Sequence, residues 1–156
     1  MLYDFELAGR RVRLWQRVGE SYEHVLMKAL GYAMYVGEFP ALEIERRVGL
    51  RYKPDLVARS VETEFAQPFA FWGECGQTSM RKAAWLLKHA GVARLVLFKM
   101  IGNRDALVEE LRAAVDERYR APGRLVVVNF VPDIALLTRE RRIARVRAEW
   151  YTRIVV

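Results

Sequence analysis

The sequence predicts an α/β fold, a single domain in which a mixed central β-sheet is flanked by helices. Two short apolar segments, residues 94–100 and 125–130, flank a charged amphipathic segment at residues 103–119. This strand, helix, strand order is typical of a parallel, buried strand pair. The 156 residues are 53% hydrophobic, which is enough for one core. No repeat or linker divides the chain, so residues 1–156 are predicted to form one domain.

The N-terminal segment predicts a strand pair followed by a helix. Residues 11–18 alternate between polar and apolar side chains, the pattern of a half-buried strand, and residues 3–8 are its predicted partner across a turn at Gly9. From Tyr22 to Met34, apolar side chains recur every three or four positions, which is typical of an amphipathic helix. Ser21 is its predicted N-cap.

Three strands and a second helix are predicted in the middle of the chain. Residues 42–49 and 54–61 form a predicted strand pair, and residues 69–75 form a third strand. Glycine ends this strand at position 76, and the next helix runs to about position 89. Either of two residues is its expected cap, Thr78 or Ser79. Its predicted apolar face consists of Met80, Ala83, Ala84 and Leu87.

The C-terminal segment alternates again from Ile143 onwards. We interpret it as a late strand with one basic face formed by Arg145, Arg147 and Arg153, which suits contact with the phosphates of a nucleic acid. A solvated strand edge kept basic to avoid aggregation explains the pattern equally well. Residues 138–146 have a second interpretation, a short helix.

The net charge also points to nucleic acid, although not uniquely. Basic residues number 26 against 19 acidic ones, which gives +7, and 21 of the basic residues are arginine. Arginine forms bidentate contacts with phosphate and stacks on aromatic rings, so nucleic acid is the expected partner. A GC-rich genome or a hot habitat would also enrich arginine. Both explanations stay open at this point.

Several classes of protein are excluded or disfavoured. The single cysteine, Cys75, leaves no intramolecular disulfide and no multi-cysteine zinc site. Acidic residues stand near the N-terminus where a signal peptide would be basic, and no apolar run reaches ~18 residues. We therefore expect a cytoplasmic protein without membrane insertion. The segment Gly73–Gly76 lacks the spacing of a phosphate-binding loop, so no nucleotide cofactor is expected.

Two carboxylates stand at chemically informative positions. Asp55 begins one predicted strand and Glu74 ends the next, so neighbouring strands would bring them together at one edge of the sheet. Two bare carboxylates ~4 Å apart would repel by about 4 kcal/mol at an effective dielectric of ~20, and a divalent cation would remove that cost. Mg²⁺ or Mn²⁺ suits such oxygen ligands. Lys82, on the following helix, is the candidate cation beside them.

These segments resemble the core of the PD-(D/E)XK nuclease superfamily, and more closely the YaeQ family within it. The resemblance covers about residues 19–100. Its most specific part matches the family pattern Trp-Ile-Glu-Leu-Gly-Gln and consists of Trp72-Gly73-Glu74-Cys75-Gly76-Gln77. The other matching segments are Glu20 with Glu23, Ala29-Leu30-Gly31-Tyr32, Pro54-Asp55-Leu56-Val57 and Lys82-Ala83.

The resemblance implies a restriction-endonuclease-like core and a metal-dependent nuclease. Asp55, Glu74 and the carbonyl of Cys75 would bind Mg²⁺ or Mn²⁺, and Glu20 or Glu23 would hold a water or a second ion. Lys82 would stabilise the transition state, and Gln77 would contact phosphate. One departure is clear: where the superfamily has lysine two positions after the strand glutamate, this chain has Gly76. Lys99, on the next predicted strand, is the alternative cation.

The departure at Gly76 keeps two other hypotheses open. The first is a nuclease-like domain without turnover that binds nucleic acid or a protein partner. The second is a domain whose charge reflects only its genome. A cysteine nucleophile at Cys75 is not predicted, because His24 and His89 show no sign of pairing with it.

Overall fold

The computed structural model describes residues 1–61 and 67–156. Its larger sheet has six strands in the order β3-β4-β5-β6-β7-β9. Strands β3, β4 and β5 are antiparallel, β5, β6 and β7 are parallel, and β9 is antiparallel to β7, so the sheet is mixed as predicted. The six strands are β3 (Glu43–Ile44), β4 (Leu56–Arg59), β5 (Phe69–Cys75), β6 (Leu95–Lys99), β7 (Leu125–Phe130) and β9 (Tyr151–Val155).

A second sheet of three strands packs beside the first and was not expected from the sequence. Strands β1 (Leu2–Leu7) and β2 (Arg10–Trp15) form the predicted antiparallel pair. The third strand, β8 (Arg142–Ile143), lies parallel to β1. Local patterning could not reveal this pairing, because β8 is only two residues long and joins a partner far away in the sequence.

The described part of the chain also contains three longer helices, two short helices and one 3₁₀ turn. They are α1 (Tyr22–Tyr35), α2 (Met80–His89), α3 (Arg104–Ala114), α4 (Glu117–Arg120), α5 (Ile134–Leu137) and a 3₁₀ turn at Ala148–Trp150. The hydroxyl of Ser21 accepts from the amide of His24, which confirms the predicted cap of α1. Of the two candidates for α2, Ser79 is the cap. None of the described helices combines the length and the apolar character needed to span a membrane.

The apolar side chains form two cores, one on each face of the large sheet. Helix α1 and the three-stranded sheet cover one face, and α2 and α3 cover the other. Helix α1 approaches the sheet closely at Gly31, where an added Cβ would lie 2.6 Å from Cδ1 of Leu56. Leu86 belongs to the buried face of α2, in addition to the predicted Ala83 and Leu87. This packing places the starts of α1 and α2 near the same end of β5.

The prediction for the C-terminal segment was only partly right, because the late strand exists as β9 but does not extend back to Ile143. Residues 138–146 are not a helix, and Arg145 and Arg147 lie outside any strand; only Arg153 is in one, β9. After Ile143 the chain leaves the small sheet, buries Val146 and forms the 3₁₀ turn before it pairs with β7. The alternating pattern therefore crosses a loop and does not mark one continuous strand with a basic face.

Two other element boundaries differ from the expectation. The predicted strand at residues 42–49 contains only the two residues of β3. The predicted helix at residues 103–119 ends at Ala114 and is followed by the separate short helix α4. Val115 has extended backbone angles and is buried in the second core, which explains the break.

Candidate active site

Asp55 lies just before β4 and is held by the neighbouring strand. Its Oδ2 accepts a hydrogen bond of 2.8 Å from the backbone amide of Cys75. Its Oδ1 lies 3.5 Å from Nε2 of His24, which is long for a hydrogen bond but close enough for a charge interaction. Burial alone would raise the pKa of Asp55, but His24 and the Cys75 amide outweigh it and hold the pKa below its usual value.

Glu74 lies on β5 and is almost fully buried, with 3% of its surface exposed. The indole Nε1 of Trp72 donates to Oε1 at 2.8 Å, and Nζ of Lys82 donates to Oε2 at 2.8 Å. Trp72 and Glu74 are two positions apart in a strand, so they share one face of the sheet. Burial raises the pKa of Glu74, and the contacts from Lys82 and Trp72 only partly oppose this.

Lys82 is positioned by the start of α2. The Oγ of Ser79 accepts a 3.0 Å hydrogen bond from the Lys82 amide, so the cap fixes the first turn of the helix. The Lys82 ammonium also lies 5.0 Å from the ring centre of Tyr52. The sequence placed Lys82 near the carboxylates, and the structure puts it directly on Glu74.

The register of β4 and β5 brings the two carboxylates to the same edge of the sheet. Leu56 pairs with Gly73, so Asp55 and Glu74 are the next residues on the two strands. The negative charge of Asp55 helps to raise the pKa of Glu74. Different helices hold the two groups, because Asp55 contacts α1 through His24 and Glu74 contacts α2 through Lys82.

A group of charged residues at the start of α1 supports Asp55. His24 and Lys28 are four residues apart on one face of α1, and Glu20 precedes the Ser21 cap and contacts both of them. Glu20 Oε1 lies 2.8 Å from His24 Nδ1 and 2.5 Å from Lys28 Nζ, and Lys28 also donates to Glu45 Oε1 at 3.1 Å. The result is a continuous chain of charges from Glu45 through Lys28, Glu20 and His24 to Asp55.

The pKa shifts follow this chain of charges. Asp55 is the largest cause of the raised pKa of His24, against the opposing effect of burial. Burial alone would raise the pKa of Glu20, but Lys28 and the Arg17 amide outweigh it, and the pKa is lowered. These shifts favour the charged forms of Asp55 and Glu20 and the protonated form of His24.

A cavity of about 420 Å³ opens onto Asp55. Basic side chains from two segments line its wall, Arg17 from the connection between β2 and α1 and Lys53 from the segment before β4. Its other lining residues are Val18, Gly19, Glu20, His24, Glu45, Pro54 and Asp55. The cavity therefore combines acidic groups with cations that suit a phosphate ester.

Other predicted site residues lie elsewhere. Glu23 and Gln77 line a second cavity of about 330 Å³, together with Met27, Gly76, Lys99, Met100 and Ile101. We call this cavity the Lys99 pocket. The thiol of Cys75 is buried, which raises its pKa well above the usual value, and the residue contacts Asp55 through its backbone amide. Arg145 and Arg147 line a separate surface cavity near the C-terminus.

The donor set is compatible with a magnesium ion. In the part of the chain that the structure describes, no three His, Cys, Asp or Glu side chains group closely enough to form a metal site. Mg²⁺, however, commonly uses only one or two carboxylates and completes its shell with water. Asp55 and Glu74 supply two carboxylates, and each carboxylate has more acceptor positions than its described hydrogen bonds occupy.

Sequence reasoning missed His24, Lys28 and Trp72. His24 was considered only as a partner for cysteine, yet its nearest functional contacts are with Glu20 and Asp55. The four-residue spacing of His24 and Lys28, with Glu20 four residues before His24, was the available signal for a charged cluster at the start of α1. No sequence signal shows that the Cys75 amide binds Asp55, because that contact depends on strand register.

Solved structures share this architecture. The YaeQ protein from Pseudomonas syringae superposes with a TM-score of 0.61 at 19% identity, over 90% of this chain and 79% of that one. The YaeQ protein from Xanthomonas axonopodis pv. citri gives a TM-score of 0.57 at 18% identity, over 83% of this chain and 71% of that one. The chain has the YaeQ fold. No protein-family model and no curated protein matches the sequence.

The YaeQ fold extends beyond the segment on which the sequence resemblance rests. Residues 19–100 carry the matching motifs, whereas the superpositions cover at least 83% of the chain. The likeness in fold therefore includes residues outside that segment. At these identities the likeness concerns the fold, and the chemistry of the site has to be argued from its own residues.

Proposed function

We propose that this protein is a metal-dependent nuclease with a PD-(D/E)XK-type core that hydrolyses phosphodiester bonds in nucleic acid. The observation that carries the proposal is the placement of Asp55, just before β4, beside Glu74 on the adjacent β5, with the Lys82 ammonium 2.8 Å from Glu74. Two carboxylates and one lysine at a sheet edge are the groups that this chemistry requires. Arg17 and Lys53 provide positive charge beside Asp55.

Asp55, Glu74 and the carbonyl of Cys75 would hold Mg²⁺ or Mn²⁺. When bound, the ion would polarise the scissile phosphate and lower the pKa of a coordinated water. The chain's own residues prepare this site. His24 and the Cys75 amide keep Asp55 charged and oriented, and the Trp72 indole fixes one oxygen of Glu74.

Lys82 supplies a positive charge where negative charge develops on the phosphate. It is anchored at Glu74 and ordered by the cap of α2, so little reorganisation is needed. Arg17 and Lys53 would bind neighbouring phosphates of the strand. Glu20 is occupied by His24 and Lys28, so its first role is to orient His24.

A cleavage assay tests this proposal. Single-stranded, duplex and branched DNA and RNA would be incubated with Mg²⁺ or Mn²⁺, using the wild-type protein and the variants Asp55→Asn, Glu74→Gln and Lys82→Met. We expect each variant to lose at least about a hundredfold in rate. The matched controls are Asp105→Asn and Glu109→Gln on the exposed face of α3. Cleavage that survives at the wild-type rate in Asp55→Asn and Glu74→Gln would contradict the proposal.

A second candidate is a nuclease-like domain that binds nucleic acid or a protein partner without cleaving. Two observations favour it: Gly76 stands where the superfamily has lysine, and both oxygens of Glu74 already accept hydrogen bonds. This candidate predicts salt-dependent binding of nucleic acid, no cleavage with either ion, and unchanged binding by Glu74→Gln.

A further inference from the structure

Lys99 is a buried cation that the proposed chemistry does not use. It ends β6 with only 6% of its surface exposed, and its ammonium donates to the backbone carbonyl of Gly76. Among the described residues, no carboxylate lies within ion-pair distance of it. An ammonium has three donors, so the Gly76 carbonyl leaves two of them for other acceptors. A buried donor without an acceptor is costly, which makes this lysine a candidate for ligand binding.

The Lys99 pocket around this cation has mostly apolar walls. Met27, Met100 and Ile101 contribute apolar surface, and Gln77 and Glu23 contribute polar groups at the opening. Its volume of about 330 Å³ lies at the lower end for small-molecule sites, which suits one planar heterocycle. Methionine adapts its shape and makes favourable contacts with aromatic rings.

The Lys99 pocket adjoins the proposed nuclease site. Gly76 lines the pocket and directly follows Glu74 and Cys75 in the chain. A Cβ added to Gly76 would lie 3.9 Å from Cδ2 of His24 and 4.0 Å from Cε of Met27. His24 in turn contacts Asp55. A strand whose phosphate lies at Asp55 and Glu74 therefore has a neighbouring cavity within reach of its bases.

We propose that the Lys99 pocket binds one unpaired nucleobase of the substrate strand, a proposal that rests on the proposed nuclease function. The two methionine side chains pack against the base, and the Lys99 ammonium donates hydrogen bonds to a ring carbonyl. Guanine, uracil, thymine and cytosine each carry a ring carbonyl, whereas adenine has none and carries an amino group where guanine has its carbonyl. The pocket therefore selects strands with accessible, unstacked bases and favours carbonyl-bearing bases over adenine.

Methyl NMR of the methionines detects binding in this pocket directly. The protein contains five methionines, of which Met27 and Met100 line the pocket and Met34 and Met80 pack against the two cores. Protein labelled at the methionine methyl groups would be titrated with 5′-GMP, 5′-UMP, 5′-AMP and ribose 5-phosphate in EDTA. We expect the first two nucleotides to shift the signals of Met27 and Met100 and to bind about tenfold more tightly than 5′-AMP. The signals of Met34 and Met80 should stay in place.

The variant Lys99→Leu isolates the role of the ammonium. Leucine replaces the aliphatic part of the lysine side chain, removes the ammonium and adds no methionine signal. The matched control is Lys88→Leu at an exposed position on α2. We expect Lys99→Leu to weaken 5′-GMP binding about tenfold and to abolish the preference over 5′-AMP, while Lys88→Leu changes neither. Unmoved Met34 and Met80 signals in Lys99→Leu would show that the fold is intact.

Three results would overturn the proposal. They are shifts from ribose 5-phosphate equal to those from the nucleotides, no shift at Met27 and Met100 up to millimolar nucleotide, and unchanged 5′-GMP binding by Lys99→Leu. The titration contains no divalent ion and involves no cleavage. Nucleotide binding without any cleavage activity would therefore count against the nuclease and not the pocket, and cleavage without nucleotide binding would count against the pocket alone.

Discussion

Lys28 shows how a single residue supports the site from within the core. Its side chain has 0% exposure, and its ammonium is shared by Glu20 and Glu45. Burial alone would lower the pKa of Lys28, but these two carboxylates outweigh it and the pKa is raised. The lysine is therefore charged, and it offsets two carboxylates that would otherwise repel each other beside Asp55.

We predict that Lys28→Met lowers the free energy of unfolding by about 3 kcal/mol, because it leaves Glu20 and Glu45 without their shared cation. Chemical denaturation measures this loss. The triple variant with Glu20→Gln and Glu45→Gln should recover much of it, since the uncompensated charges are then gone. Lys88→Met at an exposed position is the control, and equal stability of Lys28→Met and the wild type would contradict the prediction.

His24 links stability to pH. Its pKa is raised in the folded state, chiefly by Asp55, so folding favours the protonated ring. The resulting stabilisation is fully present below the unfolded pKa of about 6.5 and is lost as the pH rises through the higher folded value. We predict that His24→Gln lowers the free energy of unfolding by about 0.5–1 kcal/mol more at pH 6 than at pH 9. The expected difference is small because the ring is partly exposed and solvent screens its charge.

Unfolding free energies over this pH range check the prediction for His24. The same substitution at His89, at the end of α2, is the matched control. The difference between the two variants isolates the contacts of His24 with Glu20 and Asp55. A difference that is independent of pH would contradict the raised pKa.

Residue types at the site were predictable, but their contacts were not. Glu74 stood out because a carboxylate in an apolar strand needs a partner, and Asp55 because it begins the neighbouring predicted strand within the Pro54-Asp55 match. Lys82 followed from the family resemblance, which implies a lysine on the predicted helix after Glu74. The bonds from the Trp72 indole and the Cys75 amide depend on which residues lie opposite each other in the sheet, and a single sequence does not contain that information.

Helix α1 positions His24 because the helix packs closely on the sheet at one point. At Gly31, a Cβ would lie 2.6 Å from Leu56 Cδ1 and 2.9 Å from Phe98 Cζ. We predict that Gly31→Ala lowers the unfolding free energy by about 1–3 kcal/mol, although alanine favours helix formation over glycine by ~1 kcal/mol. Thermal or chemical denaturation measures the change.

Gly37 provides the matched control for Gly31. It lies just after α1, and no heavy atom comes within 4 Å of an added Cβ. Gly37→Ala should be neutral or slightly stabilising, because the unfolded chain loses freedom and nothing is displaced. A neutral Gly31→Ala would show that the helix can move away from the sheet at little cost.

The elements that the sequence predicted best are those with the strongest local pattern. Strands β5 and β7 begin and end where their apolar runs do, because buried central strands need apolar residues on both faces. The short strands β3 and β8 have no such pattern and are defined by their pairing with β4 and β1, respectively. The C-terminal alternation misled because a loop and a 3₁₀ turn can show the same spacing over a few residues.

At the scale of the whole molecule, the charge of +7 can now be compared with the structure. Many arginines are occupied by neighbouring carboxylates, for example Arg13 with Asp4 at 2.8 Å and Arg94 with Glu38 at 2.7 Å. These exposed pairs add little stability and reduce the charge available to a partner. Two surfaces remain as candidates for nucleic acid. One is the wall of the Asp55 cavity with Lys53 and with Arg17, which is only loosely paired with Glu45 at 3.9 Å, and the other is the C-terminal cavity with Arg145 and Arg147.

Salt dependence of binding distinguishes these two surfaces. Each phosphate neutralised by a cation contributes about −0.7 to the slope of log K against log salt for single strands and about −0.9 for duplexes. We predict that the double variant Arg17→Gln with Lys53→Gln makes this slope shallower by about 1.4 on single strands. Arg145→Gln with Arg147→Gln removes the same charge elsewhere and is the matched control, for which we expect little change. Fluorescence anisotropy with a labelled oligonucleotide over a salt series, in EDTA to prevent cleavage, measures both slopes. Equal changes in the two double variants would mean that the positive charge acts as a general field and that the strand has no preferred path past Asp55.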